Sequence, residues 1–103
     1  MFETFSVSVV NNVTKVLETC YRNDHIAFLF ITLKTSSTYT TDPIIYFPFQ
    51  TKLNGIVINI PASSVGQYLL ANEFVYGYIG QDRIVATTTK PSLWLYLSLV
   101  LHI

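Results

Sequence analysis

The chain has 103 residues, half of them apolar, 15% aromatic and only 12% charged; that apolar content excludes disorder, and the length allows one small domain. Six Lys and Arg against six Asp and Glu leave no net charge with neutral histidines. The balance argues against non-specific DNA binding, which needs excess cations to displace counterions, and against an acidic solvating tail.

Thr4–Val9 alternates with period two and reads as a half-buried strand with Phe5, Val7 and Val9 inward. Asn11 or Asn12 then suits a helix N-cap, which also accounts for the glycosylation triplet Asn12-Val13-Thr14. Val13, Val16, Leu17, Cys20 and Tyr21 fall at i, i+3, i+4, i+7 and i+8, one face of a short amphipathic helix. Arg22-Asn23-Asp24 ends that helix, His25–Thr35 follows as a long β-prone strand, and residues 35–42 form a hydroxyl-rich loop. Pro43 opens a strand over Ile44–Phe49, and Pro48 within it predicts a sheet edge or a bulge. Lys52-Leu53-Asn54-Gly55 reads as a tight turn.

A second copy of this plan follows. Ile56, Ile58 and Ile60 alternate like the first strand, and Pro61-Ala62-Ser63-Ser64 supplies a second N-cap. Val65, Tyr68, Leu69 and Asn72 repeat the spacing of Val13, Val16, Leu17 and Cys20. Phe74–Ile79, Arg83–Thr89 and Leu93–Leu101 complete the chain as strands, broken at Gln81-Asp82 and Lys90-Pro91. Both halves, residues 3–50 and 54–101, thus read strand-helix-strand-strand. The prediction is an α+β fold: a mainly antiparallel sheet with two short helices on one face, made of two related β-α-β-β halves in a single domain, residues 1–103. The halves must pack together, since about 50 residues is near the lower limit for independent folding. The alternative is a ferredoxin-like order over Phe5 to Thr89 with extra strands.

Little of the chain suits catalysis. A single cysteine, Cys20, excludes an intrachain disulfide and a cysteine-built zinc site. It falls on the core face near a helix C-terminus, where the helix dipole disfavours a thiolate. His25 and His102 have no acid at ligand spacing, Asp24 and Asp82 are turn residues, and the four glycines form neither a dinucleotide fingerprint nor a phosphate loop. The chain is therefore expected to be no enzyme and to hold no metal or cofactor. Met1–Val10 lacks the basic region and apolar run of a secretory signal. Ile26–Leu33 and Leu93–Ile103 are each about half the ~20 residues of a membrane helix. An intracellular, soluble protein with no membrane span is the expectation.

The informative feature is excess apolar surface. Ile26–Leu33 and Leu93–Leu101 are apolar on both strand faces, and two short helices cover only one. Contiguous apolar patches mark partner surfaces. The chain is accordingly expected to be a non-enzymatic interaction protein that self-associates, as a homodimer or larger, or binds a peptide or protein partner. Sheet edges and aromatic strands would carry the contact, with Tyr46, Phe47, Phe49, Trp94 and Tyr96 as candidate residues. The alternative is a single-stranded nucleic-acid binder stacking bases on Phe28, Phe30 and Tyr46. Against it, Lys15, Arg22, Lys34, Lys52, Arg83 and Lys90 are spread evenly along the chain instead of flanking those rings, so nucleic acid is not the expected partner.

The duplicated plan, carried by the paired stretches Phe5–Tyr21 and Ile56–Glu73, and the Ile-, Tyr- and Thr-rich composition resemble small orphan proteins of filamentous viruses that infect hyperthermophilic archaea. The low charge departs from what thermophilic proteins generally show. The resemblance implies protein–protein interaction rather than catalysis, in a host cytoplasm, and carries over no functional residue.

Overall fold

The computed structural model describes residues 1–10, 12–36, 40–64, 73–88 and 90–103. Among them are nine strands: β1 (Glu3–Thr4), β2 (Ser8–Val9), β3 (Val13–Arg22), β4 (Ile26–Thr35), β5 (Thr40–Tyr46), β6 (Ile56–Ser64), β7 (Glu73–Ile79), β8 (Arg83–Thr88) and β9 (Leu93–His102). They form one sheet in the order β1-β3-β4-β9-β6-β7-β8-β5-β2, with every pairing antiparallel.

The sheet must curl, for a reason visible in its order. β1 and β2 sit at opposite edges, yet only Phe5, Ser6 and Val7 join them. Laid flat, the outer two of nine strands would stand about 38 Å apart at the usual spacing, whereas four residue steps span at most ~15 Å. The sheet therefore rolls into a partial barrel whose two edges, β1 on β3 and β2 on β5, are joined by the N-terminal segment. β-bulges between Lys15 and Leu17 in β3 and between Pro43 and Ile45 in β5 lie in these two strands, where added local twist helps the edges meet.

Alternation then sorts the side chains. Ala27, Leu29, Ile31, Leu33 and Thr35 of β4 and Leu93, Leu95, Leu97 and Leu101 of β9 are buried on the inner face. Ile60 and Ala62 of β6, Val75 and Ile79 of β7, and Ile84 and Ala86 of β8 continue the core around the curl. Residues 47–55 close one end: Phe47 N–H donates to Asp82 C=O (2.8 Å), Thr51 N–H to Gln81 C=O (2.7 Å) and Lys52 N–H to His102 C=O (2.8 Å). Gly55, at φ 77, turns this segment into β6, a backbone state that glycine adopts without strain.

The fold is thus all-β, not α+β. No helix exists among the described residues, and the first half does not read β-α-β-β. The helix expected over Val13–Tyr21 is the strand β3. Val13, Thr14, Val16, Thr19 and Tyr21 are β-branched or aromatic and fit a pleated surface, and a lone helix of this length is marginal without packing. The apparent helical stripe mixes two faces: Val13 and Cys20 are buried, whereas Val16 and Leu17 are exposed. The bulge supplies the three-residue step. Pro61-Ala62-Ser63-Ser64 is not an N-cap but the end of β6, and the second expected helix, Val65–Asn72, lies outside the described residues. The ferredoxin-like alternative fails with the first helix, since that order also needs it.

Candidate interaction surface

The expected site residues divide between the barrel's end and its outside. Phe47 is buried and stacks on Phe49 at 5.4 Å with ring planes 9° apart. Phe49 also meets the Phe5 ring edge-on at 5.3 Å and lies under the Arg22 guanidinium at 5.0 Å. Phe47 and Phe49 therefore plug the end closed by residues 47–55. Tyr46 is half-buried beneath the Arg83 guanidinium, 5.1 Å from its ring centre. Trp94 and Tyr96 lie half-buried on the outside of β9. Tyr96 Oη and Ser63 Oγ hydrogen-bond at 2.7 Å, and the Trp94 indole N–H is buried with no acceptor among the described residues.

The outer faces of β3, β4 and β9 bring other residues together. Register places Tyr21 opposite Phe28 and Phe28 opposite Val100; one step along, Thr19 faces Phe30 and Phe30 faces Ser98. Tyr21 and Phe28 stack at 5.0 Å, Phe2 packs edge-on against Tyr21 at 5.7 Å and tilted against Phe28 at 5.8 Å, and Phe30 reaches Tyr21 at 6.4 Å. Phe30 is 42% exposed, Phe2 49% and Val100 50%, which leaves an apolar ridge in solvent. The face is nearly free of charge: Lys34 stands at one end and His102 at the other. Of the residues expected to stack bases, Phe28 and Phe30 belong to this ridge, whereas Tyr46 is on β5 and does not join them.

Sequence reasoning missed Tyr21, Phe2 and Val100 as surface residues. Their signal is the register itself: once β3 is a strand, its odd-numbered residues after the bulge share a side with the even-numbered residues of β4 and β9. A second exposed group lies on β6 and β7, where Val57 faces Tyr78, Asn59 faces Tyr76 and Pro61 faces Phe74. Val57, Phe74 and Tyr76 are all largely exposed.

Ion pairs among the described residues do structural work. Glu18 Oε2 accepts from Val7 N–H (3.0 Å), and Lys15 Nζ donates to Val7 C=O (2.9 Å) and to Glu18 (3.3 Å). Burial tends to raise the Glu18 pKa, but the Val7 N–H, the Ser6 hydroxyl and Lys15 together hold it below the ordinary carboxylate value. Asp82 and Arg83 pair at 2.7 Å on the surface. Burial, aided by the Glu18 carboxylate, pushes the Cys20 thiol up to about 11, so it is a protonated core group at neutral pH. No cluster of three metal-ligating side chains occurs among the described residues. No helix among them is long and apolar enough to cross a membrane.

No family model, curated protein or solved structure matches this chain.

Proposed function

We propose that this chain is a non-enzymatic, self-associating protein whose contact surface is the outer face of β3, β4 and β9. The observation that carries the reading is the contiguous ridge of Phe2, Tyr21, Phe28, Phe30 and Val100 on a nearly uncharged face. Solvent-exposed apolar patches of this kind are interaction sites, and a face with its one lysine at the margin meets its own copy with little like-charge repulsion. The role implied by the likeness to small viral proteins, protein–protein interaction, points the same way.

The test is solution mass by light scattering after gel filtration over a range of concentrations. The wild type is expected to grow in mass with concentration. Phe30→Ser, which removes an exposed ring and leaves the inner face untouched, is expected to weaken association by roughly 10- to 100-fold, the effect of about 1.5–3 kcal/mol per buried ring. A wild type that stays monomeric throughout, or a Phe30→Ser variant that associates like it, sinks the reading.

A second reading rests on the same rings. Tyr21, Phe28 and Phe30 form a stacking platform with Lys34 on the same face, as single-strand binders use. It requires binding to a mixed-sequence oligonucleotide that falls steeply with salt; absent or salt-independent binding removes it.

A further inference from the structure

The two edges of the sheet are occupied by one short segment, and the manner of its attachment is unusual. Residues 3–4 pair with β3, with Glu3 opposite Arg22 and Thr4 opposite Tyr21. Residues 8–9 pair with β5, with Ser8 opposite Tyr46 and Val9 opposite Ile45. Between them the segment crosses the seam. There the backbone of Val7 is held not by a ladder but by two side chains of β3: Glu18 takes its N–H and Lys15 its C=O. The Val7 side chain is buried, yet a cavity of about 410 Å³ opens beside the segment, lined by Thr4, Phe5, Ser6, Glu18, Thr19 and Tyr21 among others.

Each ladder is two residues long, and the groups that Glu18 and Lys15 recognise are backbone groups, which any copy of the segment supplies. Past Val10 the chain enters β3 through Asn12, which sits at φ 67, with Val13 N–H donating to Val10 C=O. Asparagine adopts this left-handed state more readily than other non-glycine residues, so Asn12 marks a turn in the chain and not a strained one.

We infer that the seam between β3 and β5 is an acceptor site for an extended strand, filled in the monomer by the chain's own N-terminal segment and, in an exchanged dimer, by the same segment of a second copy. Released from its own seam, the segment of residues 3–9 can enter a neighbour's, where every hydrogen bond is remade. Exchange of this kind makes a dimer with few new contacts, and it satisfies edges that would otherwise pair indiscriminately. This association is independent of the ridge on β3, β4 and β9.

The experiment uses the full chain carrying Glu3→Cys and Arg22→Cys, which stand directly opposite each other, with Cys20→Ala to remove the competing thiol. Opposed positions of an antiparallel pair lie within disulfide reach. Oxidised when dilute, the protein should run as a monomer on a non-reducing denaturing gel. Oxidised after incubation at high concentration just below its melting temperature, it should run as a covalent dimer. Adding Glu18→Gln, which weakens the hold on Val7, should raise the dimer fraction at a given incubation time roughly tenfold, as for loss of one hydrogen bond to a charged group. If that variant does not fold, Lys15→Met is used in its place with the same expectation. Monomer only after concentrated incubation, or no change on weakening the hold, overturns the inference. Phe30→Ser in the same background separates the two associations: the covalent dimer should persist although association through the ridge is lost. A covalent dimer abolished by Phe30→Ser would show that the segment does not exchange by itself.

Discussion

Gly77 shows how a single residue constrains this fold. It lies on β7 opposite Ile58 and Ala86, and a Cβ built there would run into the Val85 carbonyl oxygen and come within 3.3 Å of Ile60 Cδ1. The backbone oxygen cannot swing away without breaking the β7–β8 ladder. Gly77→Ala is therefore expected to destabilise the protein by about 1–3 kcal/mol, as overpacking does, measured by urea unfolding. An unchanged midpoint would show that the two strands part freely. The same residue reads in the sequence only as a weakness in the strand Phe74–Ile79; its role is set by the carbonyl that crosses over it. Thr35 is a comparable case. Fully buried, it donates Oγ1–H to Lys90 C=O (2.7 Å) and accepts from Leu93 N–H (3.1 Å), and so fixes the start of β9 against the end of β4. As sequence it is one more threonine in a hydroxyl-rich stretch.

Among the elements, β3 is the instructive one. Its ten residues carry apolar side chains at helical spacing, and the bulge between Lys15 and Leu17 produces that spacing in a strand. Before the bulge Val13 and Lys15 face the inner residues Thr35 and Leu33; after it Glu18 and Cys20 face Ile31 and Leu29. The extra residue keeps Lys15 and Glu18 on one side, where both reach Val7. Deleting Val16 should give strict alternation with Val13, Lys15, Glu18 and Cys20 still on the inner face, because Lys15 and Glu18 then stand two residues apart, and should remove only the local twist that the bulge adds. The expected result is a transition by circular dichroism that stays cooperative but falls to a lower midpoint, because the edges meet less well; a deletion variant as stable as the wild type would show that the bulge is dispensable. The strands β4, β7, β8 and β9, by contrast, lie within a residue or so of where runs of β-branched, aromatic and leucine residues place them, because their patterns contain no irregularity.

At the scale of the whole molecule, the carboxyl that holds the N-terminal segment across the seam is kept acidic against the effect of its burial. Burial alone would raise the Glu18 pKa from 4.5, but Val7 N–H, Ser6 and Lys15 lower it. A carboxyl whose folded pKa lies below its unfolded value stabilises the fold above the unfolded pKa and loses that contribution as pH falls through the folded one. Wild type should therefore exceed Glu18→Gln in stability near neutral pH by about 1–3 kcal/mol, the cost of a lost charge-assisted hydrogen bond. The gap should narrow as pH falls below the ordinary carboxylate range. A gap independent of pH would show that Glu18 acts by shape and not by charge. Expected from the sequence were two helices shielding one face of a sheet. Instead the sheet shields itself by curling, and the outer residues of β3, β4 and β9 are left to the solvent.

What the sequence by itself determined is the position of most strands and the surplus of apolar surface, because both follow from local alternation and composition, which need no knowledge of neighbours. Only the tertiary structure decided that Val13–Arg22 is a strand, that Phe47 and Phe49 plug an end while Phe28 and Phe30 face outward, and that residues 3–9 join two edges. Each depends on which strand lies beside which, and pairing between residues far apart in the chain leaves no local periodicity to read.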